Sequence, residues 1–253
     1  MDAVVSDDEP QVQHKPSEAP GKRLLMEAAL RLTVQTRSLS SLGLRELARE
    51  AGLNPNTFYR HFKTLDDLGL AIIEELASQL RQPLRDLRHQ AAQRADAPAP
   101  GMALKALSLL GIDLGRGRRV CCETVQLFFA FVGEHPQAFI LGMRELHGAS
   151  PLLREALRRV MDDFAADMAA DIGLLNLLPS LDPGSIRQVS TLISRQLFQQ
   201  TLDYIEQPGQ RAVICAQAEA QILMMFAGAS LLQSLGALDL VALVPSVPPP
   251  ARA

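Results

Sequence analysis

A helix-turn-helix pattern between residues 44 and 62 constrains the fold of this chain more than any other feature. Apolar residues recur in the first helix at the spacing of one helical face, after Gly43 at the N-cap position. Gly52 follows the last of them, where a residue with left-handed backbone geometry ends a helix at low cost. Asn54 then begins a second helix as its N-cap, with Pro55 at the first helical position. Two short helices joined by a tight turn predict a helix-turn-helix unit.

The second helix has an apolar face and an opposite face that is polar and basic. Phe58 and Phe62 are four residues apart, so both point toward the domain core, and Leu53 forms a hydrophobic staple with Phe58. Asn56 and Arg60 point away from that core, and these side chains can read adenine and guanine in the major groove. Neighbouring hydroxyl, imidazole and ammonium groups suit phosphate oxygens. An ordinary solvated surface helix is the alternative. The residues predicted to contact DNA are Lys22, Arg45, Asn54, Pro55, Asn56, Thr57, Tyr59, Arg60, His61 and Lys63.

Charge is distributed unevenly along the chain. Residues 20–63 carry eight Lys/Arg and three Asp/Glu, a net charge of +5, whereas the whole chain has a formal net charge of −3. The remainder therefore carries −8. A basic lobe on an acidic protein attracts a polyanion locally without binding it elsewhere, which favours double-stranded DNA as the partner of the helix-turn-helix.

Several runs resemble the DNA-binding domain of the TetR family of repressors. Others are similar to the subgroup of that family that represses unsaturated fatty-acid biosynthesis, the FabR and DesT type. The family resemblance is carried by Lys22–Leu30, Leu44–Phe62 and Thr64–Leu68. The subgroup resemblance is carried by Ser41–Glu46, Phe58–Phe62, Asp66–Leu70, His135–Phe139 and the pair Arg144 and Glu145.

The resemblance implies an all-α regulator. Its N-terminal three-helix domain, with the helix-turn-helix, would bind DNA, and a larger C-terminal helical domain would bind a ligand and dimerise. The function implied is a homodimeric repressor on a palindromic, inverted-repeat operator, which responds to an acyl thioester such as acyl-CoA or acyl carrier protein. A repressor of an efflux or catabolic gene that responds to another hydrophobic small molecule is the alternative.

Four departures from the family pattern are visible. Gly43 stands where the family usually has Ser or Thr, at a cost of only roughly a few tenths of a kcal/mol. Thr33 stands where a Phe is common, which predicts a looser core around the first helix. Pro83 is expected to interrupt helix four. Residues 95–119 look like an insertion, which puts the position of the ligand pocket in question.

Composition and periodicity divide the chain into four parts. A polar arm at residues 1–19 and a proline-rich tail at 239–253 are predicted to be disordered. The DNA-binding domain spans residues 20–64, and the effector-binding and dimerisation domain spans 65–238. Helix four begins the larger domain, and its apolar stripe is long enough to pack on both domains. Other helices are predicted near 21–37, 119–133, 136–147, 150–172, 185–206 and 210–236, with loops at 95–101 and 111–117.

The larger domain has two predicted roles. Residues 186–205 and 216–235 are apolar and rich in small residues, so two copies could pair as a four-helix bundle, although both segments could instead complete a monomer core. A Met- and Phe-rich lining would suit a long flexible acyl chain, although each residue could instead be ordinary core. Arg144 could meet a phosphate or thioester head group, or form a surface salt bridge. The predicted ligand-binding residues are Phe128, Phe129, Phe139, Met143, Arg144, Phe164 and Met168, with Phe131 and Leu146 nearby.

Enzymatic and metal chemistry find little support in the sequence. Glu134, His135, Glu145 and His147 bracket one predicted helix, but their spacing fits no compact zinc site, so no metal and no cofactor is expected. The run at residues 111–117 lacks the strand and the Lys-Ser/Thr ending of a phosphate loop. The vicinal Cys121 and Cys122 could form a redox switch, although an inert buried thiol is more common. The chain is not expected to be an enzyme.

The same evidence predicts a cytoplasmic protein without membrane contact. An odd number of cysteines, three, suggests a reducing compartment rather than a disulfide framework. The first residues are acidic and polar, unlike a secretory signal. The longest apolar run, near residues 222–232, is too short to span a bilayer.

Overall fold

The computed structural model describes residues 20–33, 38–96 and 114–236. These residues form nine α-helices and two short 3-10 helices, with no strand among them, which confirms the all-α prediction. The predicted arm, the tail, residues 34–37 and most of the predicted insertion lie outside the described ranges. The α-helices are α1 (Pro20–Thr33), α2 (Leu44–Glu50), α3 (Pro55–His61), α4 (Leu65–Asp96), α5 (Leu114–Glu134), α6 (Pro136–Glu145), α7 (Pro151–Leu174), α8 (Pro183–Glu206) and α9 (Arg211–Ser234).

Helices α1 to α3 form an N-terminal lobe around a small core. Leu25, Leu47 and Phe58 are completely buried at its centre. Thr33, at the position where a looser core was expected, is 1% exposed. Its hydroxyl donates to the Ala29 carbonyl at 2.9 Å, so the polar atom is satisfied within α1.

The prediction that Pro83 interrupts helix four is wrong, because α4 runs unbroken for 32 residues through this proline. Proline removes one backbone donor, which by itself favours a break. Tertiary contacts on both sides of it outweigh that loss, since the side chains of Leu80 and Leu84 are 2% and 3% exposed in the core of the larger domain. The predicted loop at residues 111–117 is also wrong from residue 114 onward, where α5 has begun.

Helix α4 belongs to two cores at once, as its long apolar stripe predicted. Leu68 and Ile72 pack in the core of the N-terminal lobe. Leu80 and Leu84 pack with α5 to α9 in the core of the larger domain, here called the body. Because one rigid helix serves both cores, the lobe cannot move relative to the body without moving α4 or its contacts.

A row of ion pairs fastens the second half of α4 to α7. The basic and acidic partners recur at intervals of about one helical turn, so the two rows run alongside each other. The Arg88 Nε donates to the Asp171 carboxylate at 2.7 Å, and both side chains are almost completely buried. We call this set the α4–α7 ladder; it comprises Arg81, Arg85, Arg88 and His89 of α4 and Asp163, Asp167 and Asp171 of α7.

Helix α9 has one face in the body and one exposed face. Ile214, Ala218 and Phe226 are buried against the body. Among the described residues, the helical segment at Pro208–Ser234 is the one that is long and apolar enough to cross a membrane by length and composition, with a mean hydropathy of 1.4. The opposite face of α9 carries an exposed stripe at helical spacing, which we call the α9 stripe: Val213, Gln217, Ala220, Met224, Ala227 and Leu231.

Candidate nucleic-acid interface and ligand cavities

The turn of the helix-turn-helix forms as its sequence predicts. Gly52 has a φ of +67°, the left-handed region in which glycine is favoured. The Leu53 N–H donates to the Ala48 carbonyl at 2.8 Å and closes the end of α2. Asn54 caps α3, because its side-chain oxygen accepts the Asn56 N–H at 2.9 Å. These local bonds fix the angle between α2 and α3.

Helix α3 lies on the lobe surface with its two phenylalanines inward. Phe58 and Phe62 are 0% and 4% exposed, and their ring centroids are 5.8 Å apart. Asn56 and Arg60 are exposed on the outer side, and Tyr59 is 64% exposed. The predicted division between a core face and an outer polar face is confirmed, and it leaves hydrogen-bonding side chains available to base edges.

The start of α1 packs closely against one flank of α3. An ideal Cβ at Gly21 would lie only 2.7 Å from the His61 Nε2, so a larger residue there would require the His61 side chain to shift. Thr57 and His61 are half-buried there, beside the half-buried Lys22. These three residues therefore lie along one side of the outer face of α3. Their hydroxyl, imidazole and ammonium groups suit phosphate oxygens rather than base edges.

On the other flank, Lys63 stands at the junction between α3 and α4. The Asp67 carboxylate accepts the backbone N–H groups of Lys63 and Thr64 at 3.0 and 2.9 Å, while the Thr64 hydroxyl accepts the Asp67 N–H at 3.1 Å. This reciprocal capping fixes the backbone that carries Lys63. Arg45, Asn54, Pro55 and Lys63 are all exposed.

One basic residue of the lobe has a bracing role that the sequence did not reveal. The Arg31 Nε donates to the Glu50 carboxylate at 2.8 Å, and the same guanidinium reaches the Glu50 carbonyl at 3.3 Å. Arg31 therefore ties α1 to the end of α2. The positive charge near α3 comes instead from exposed side chains such as Arg45, Arg49, Arg60 and Lys63.

The predicted ligand-binding residues are divided between cavities and solid core. Phe128 and Phe129 pack in an aromatic cluster, with ring centroids 5.3 Å apart, and line neither of the two apolar cavities described below. Phe139, Met143 and Phe164 line the first cavity, and Phe131 joins them there. Met168 lines the second cavity.

The first cavity lies where the lobe meets the body, and we call it the junction cavity. It is enclosed by α4, α6 and α7, with Leu39 of the lobe at one end and Phe198 of α8 at the other. Almost its whole wall is apolar, which suits a hydrocarbon ligand. The wall residues that define it are Leu39, Ile72, Leu76, Ala77, Phe131, Phe139, Met143, Glu145, Leu153, Phe164 and Phe198.

The second cavity, here called the lateral cavity, lies between α5, α7 and α9. It is also mainly apolar, with about 780 Å³ of space between atoms, part of it open to solvent. Arg88 and Arg118 add positive charge to its wall. The Arg118 Nε is 3.3 Å from the Glu219 carboxylate, and Arg88 bonds Asp171, so both cations already have protein partners.

The last turn of α6 holds the end of α1 and the start of the 3-10 helix Leu39–Ser41, which lies between α1 and α2. Arg144 donates from Nη1 to the Thr33 carbonyl at the end of α1. The neighbouring Glu145 is 2% exposed, and its Oε1 accepts the Leu39 N–H at 2.7 Å. Arg144 lines neither cavity, and the structure places it at the interface between lobe and body. We call Arg144 and Glu145 the α6 clasp.

The groups considered for a metal site are separated by the fold, and the Cys121 thiol considered for redox chemistry is protonated. No three His, Cys, Asp or Glu side chains of the described residues are grouped so that they could hold a metal ion. His135 packs on the ring of Phe131 with centroids 4.3 Å apart, at the opposite end of α6 from Glu145 and His147. Burial raises the pKa of the Cys121 thiol to about 12, so this thiol is protonated and unreactive at neutral pH.

Comparison with known proteins finds a family model that matches the lobe. The model of the family described as bacterial regulatory proteins, tetR family, matches residues 25–72. This range covers α2, α3, most of α1 and the first residues of α4, with all of the helix-turn-helix.

Solved structures with the same fold extend over most of the chain. The fatty acid degradation regulator FadR from Bacillus halodurans is similar with a TM-score of 0.58 and 13% identity, covering 83% of this chain and 97% of that chain. A transcriptional regulator from Rhodococcus sp. Rha1 has a TM-score of 0.57 and 15% identity, with the same coverage. A tetR-family regulator from Streptomyces coelicolor has a TM-score of 0.54 and 18% identity, covering 88% of each chain.

These similarities agree with the geometry described above: a helix-turn-helix lobe, a long shared helix and a larger helical body. The chain therefore has the same fold as these solved regulators, and its residues 25–72 match the model of the tetR family.

Proposed function

We propose that this protein is a DNA-binding repressor that acts in the cytoplasm as a homodimer on an inverted-repeat operator. The observation that carries the proposal is the placement of α3, whose phenylalanines anchor it while Asn56 and Arg60 stay exposed. The ten predicted DNA contacts surround this helix or lie in the same lobe. Base-edge contacts from Asn56 and Arg60 would supply sequence specificity, and the surrounding groups would hold phosphates.

A second copy of this chain is the proposed partner of the α9 stripe. Met224 is 64% exposed, Val213 is 48% exposed and Leu231 is 44% exposed, so the stripe presents apolar side chains along one face, as interaction surfaces do. The small residues Ala220 and Ala227, which lie on either side of Met224 in the stripe, allow two helices to approach closely. A two-fold pairing brings identical stripes together and presents two α3 helices to one duplex, where half-sites are about 34 Å apart.

Met224→Asp is expected to convert the dimer to a monomer, because two carboxylates would be desolvated against each other at the centre of the stripe. Sedimentation equilibrium at micromolar concentration measures the change. Leu152→Asp is the matched control, since Leu152 is 58% exposed at the start of α7, away from the stripe. A Met224→Asp protein that stays dimeric, or a wild type that is already monomeric, would contradict the proposed interface.

The effector proposed for this repressor is an acyl thioester, with its hydrocarbon chain in the junction cavity. The cavity is apolar and is lined by Phe and Met side chains that can adapt to a flexible chain. The resemblance to repressors of unsaturated fatty-acid biosynthesis supports this ligand class. One structurally similar protein is described as a regulator of fatty acid degradation, which is consistent with the same class.

The α6 clasp connects the wall of the junction cavity to the DNA-binding lobe. Helix α6 contributes Phe139, Met143 and Glu145 to the cavity wall. Its last turn also holds Thr33, at the end of α1, and Leu39, in the link between α1 and α2. A ligand that displaces α6 would shift these anchors and hence the separation of the two α3 helices. The ligand changes DNA affinity only as far as it prefers one separation over the other.

Saturated or unsaturated acyl-CoA is expected to change operator affinity about 5- to 150-fold, the usual range of an allosteric coupling. The operator would first be selected from random DNA, which also reveals the symmetry and spacing of its half-sites. Free CoA, which lacks the chain, is the ligand control. Ala77→Phe, which fills the cavity, should keep operator binding and lose the response.

Two outcomes would overturn parts of the proposal. Operator binding that is unaffected by either acyl-CoA would reject the lipid effector, and would favour another apolar ligand and an efflux or catabolic target gene. Selected fragments without two-fold symmetry would reject the dimeric mode of DNA binding.

A further inference from the structure

All three cysteines of the chain converge where α5 meets α9. The Cys121 Sγ lies 3.9 Å from the Glu219 carbonyl oxygen of α9. Cys122, on α5, and Cys215, on α9, line a single groove that is open to solvent, together with Glu219 and Arg211. We call it the cysteine groove. Cysteines that are 93 positions apart in the sequence thus share one small site.

Cys122 and Cys215 are the two cysteines that line the same groove, which makes them the candidate pair. Cys121 and Cys122 are adjacent on one helix and point about 100° apart, so a bond between them would distort α5. Cys121 turns instead toward the body core and the lateral cavity. Cys122 stays in the groove, where the Gln126 amide donates to its sulfur at 3.3 Å. Its available partner across the groove is Cys215.

The groove remains accessible when a second copy covers the α9 stripe. At about 100° per residue, Cys215 and Glu219 lie on the face of α9 opposite Val213, Met224 and Leu231. Dimerisation through the stripe therefore leaves both groove thiols open to small solutes. The site also differs from the proposed effector site, because the junction cavity contains no residue of α9.

We propose that Cys122 and Cys215 are an oxidant-responsive pair that closes to an intramolecular disulfide between α5 and α9. With hydrogen peroxide as the oxidant, the Cys122 thiolate attacks one peroxide oxygen, forming a sulfenic acid and releasing hydroxide, which takes up a proton to become water. The Cys215 sulfur then attacks the sulfenic sulfur, which forms the S–S bond and releases a second water. Two thiols lose two electrons, and one peroxide becomes two waters.

The surroundings of Cys122 and Cys215 determine how much oxidant this reaction requires. Burial and the neighbouring Glu219 raise the pKa of Cys122, and burial and the neighbouring Cys122 raise the pKa of Cys215. Both thiols are therefore protonated at neutral pH and react slowly with dilute peroxide. Arg118 opposes the rise at Cys122 and favours its thiolate. The pair thus responds to sustained oxidant rather than to trace amounts, and this inference does not depend on the proposed DNA-binding function.

The test uses the full-length protein treated with excess hydrogen peroxide, then unfolded and titrated for free thiols. The wild type is expected to fall from three thiols to one, and Cys121→Ser from two to none. Cys122→Ser and Cys215→Ser should keep both of their thiols. Peptide mapping without reductant should find the peptides that contain residues 122 and 215 joined, and the bond should disappear on reduction.

Several outcomes would overturn the inference, and each is separable from failure of DNA binding. These are a bond within the peptide that contains both Cys121 and Cys122, a covalent dimer on a non-reducing gel, and an unchanged thiol count. Thiol loss in Cys122→Ser or Cys215→Ser would show overoxidation of single sites instead of a pair. Circular dichroism of each serine variant before oxidation establishes that it is folded.

Discussion

Arg60→Ala is expected to weaken binding to the selected operator by at least about thirtyfold, because each protomer of the proposed dimer loses one contact to a base edge worth ~1–3 kcal/mol. Arg60 is exposed on the outer side of α3, and Phe58 and Phe62 hold that helix from the inner side. The truncation removes the guanidinium without touching the lobe core. Specificity should relax at one position of each half-site, and the loss of affinity should be much smaller on random DNA.

Fluorescence anisotropy with operator and scrambled duplexes at fixed salt measures both quantities. Arg158→Ala is the matched control, because Arg158 is an exposed arginine on α7, outside the lobe. Its effect should be limited to a small, sequence-independent change. Equal losses for the two variants, or for the two duplexes with Arg60→Ala, would show that α3 does not read bases.

Asp171→Ala is expected to reduce the free energy of unfolding by about 3–5 kcal/mol, the largest stability effect foreseen for a single substitution in the α4–α7 ladder. Asp171 is 0% exposed and Arg88 is 5% exposed, so removal of the carboxylate leaves a guanidinium buried without its counter-charge. The change in the free energy of unfolding is measured by urea unfolding at one fixed protein concentration, because dimerisation raises the apparent stability.

Two further variants distinguish the energetic contribution of the buried Arg88–Asp171 pair from that of an exposed surface charge. Asp163→Ala removes a ladder carboxylate that is 58% exposed, so its effect should stay within about 1 kcal/mol. The double variant Arg88→Ala with Asp171→Ala should cost less than the sum of the two single changes, since the orphaned charge is gone. Additive costs, or equal effects at Asp163 and Asp171, would show that the pair is not energetically coupled.

The helix-turn-helix could be predicted from sequence because its determinants are local. Gly52, Asn54 and Pro55 set backbone geometry within a few residues, and the spacing of Phe58 and Phe62 fixes which side of α3 is buried. Each of these signals depends on neighbours in the chain, so one sequence contains them all. The same holds for the capping of α4 by Thr64 and Asp67.

The body was less predictable because its determinants are contacts between distant helices. Pro83 carries a strong local signal for a break, yet burial of Leu80 and Leu84 keeps α4 continuous. The partners of the α4–α7 ladder are more than eighty residues apart, and nothing in the sequence pairs Arg88 with Asp171. A four-residue repeat of charges on each helix is the one signal that could have suggested it.

The α6 clasp illustrates a different limit. Arg144 was predicted to meet a ligand head group or a surface salt bridge, whereas the structure places its guanidinium on the Thr33 carbonyl. A helix C-terminus attracts a cation, but the sequence does not show which helix end lies nearby. The meeting of Cys122 and Cys215 was hidden for the same reason, since only the packing of α5 on α9 brings them together.

Because α4 belongs to both cores, it limits how this protein can be rebuilt by exchanging modules. The hydrophobic interior of the lobe includes Leu68 and Ile72 of α4, together with Leu141 and Leu153 from the body. In a chimera joined just after residue 64, the transplanted lobe would lack these four side chains. A workable graft must carry the beginning of α4 and must recreate the surface of α6 and α7 on which it rests, so the proposed DNA-reading lobe cannot be exchanged as an independent module.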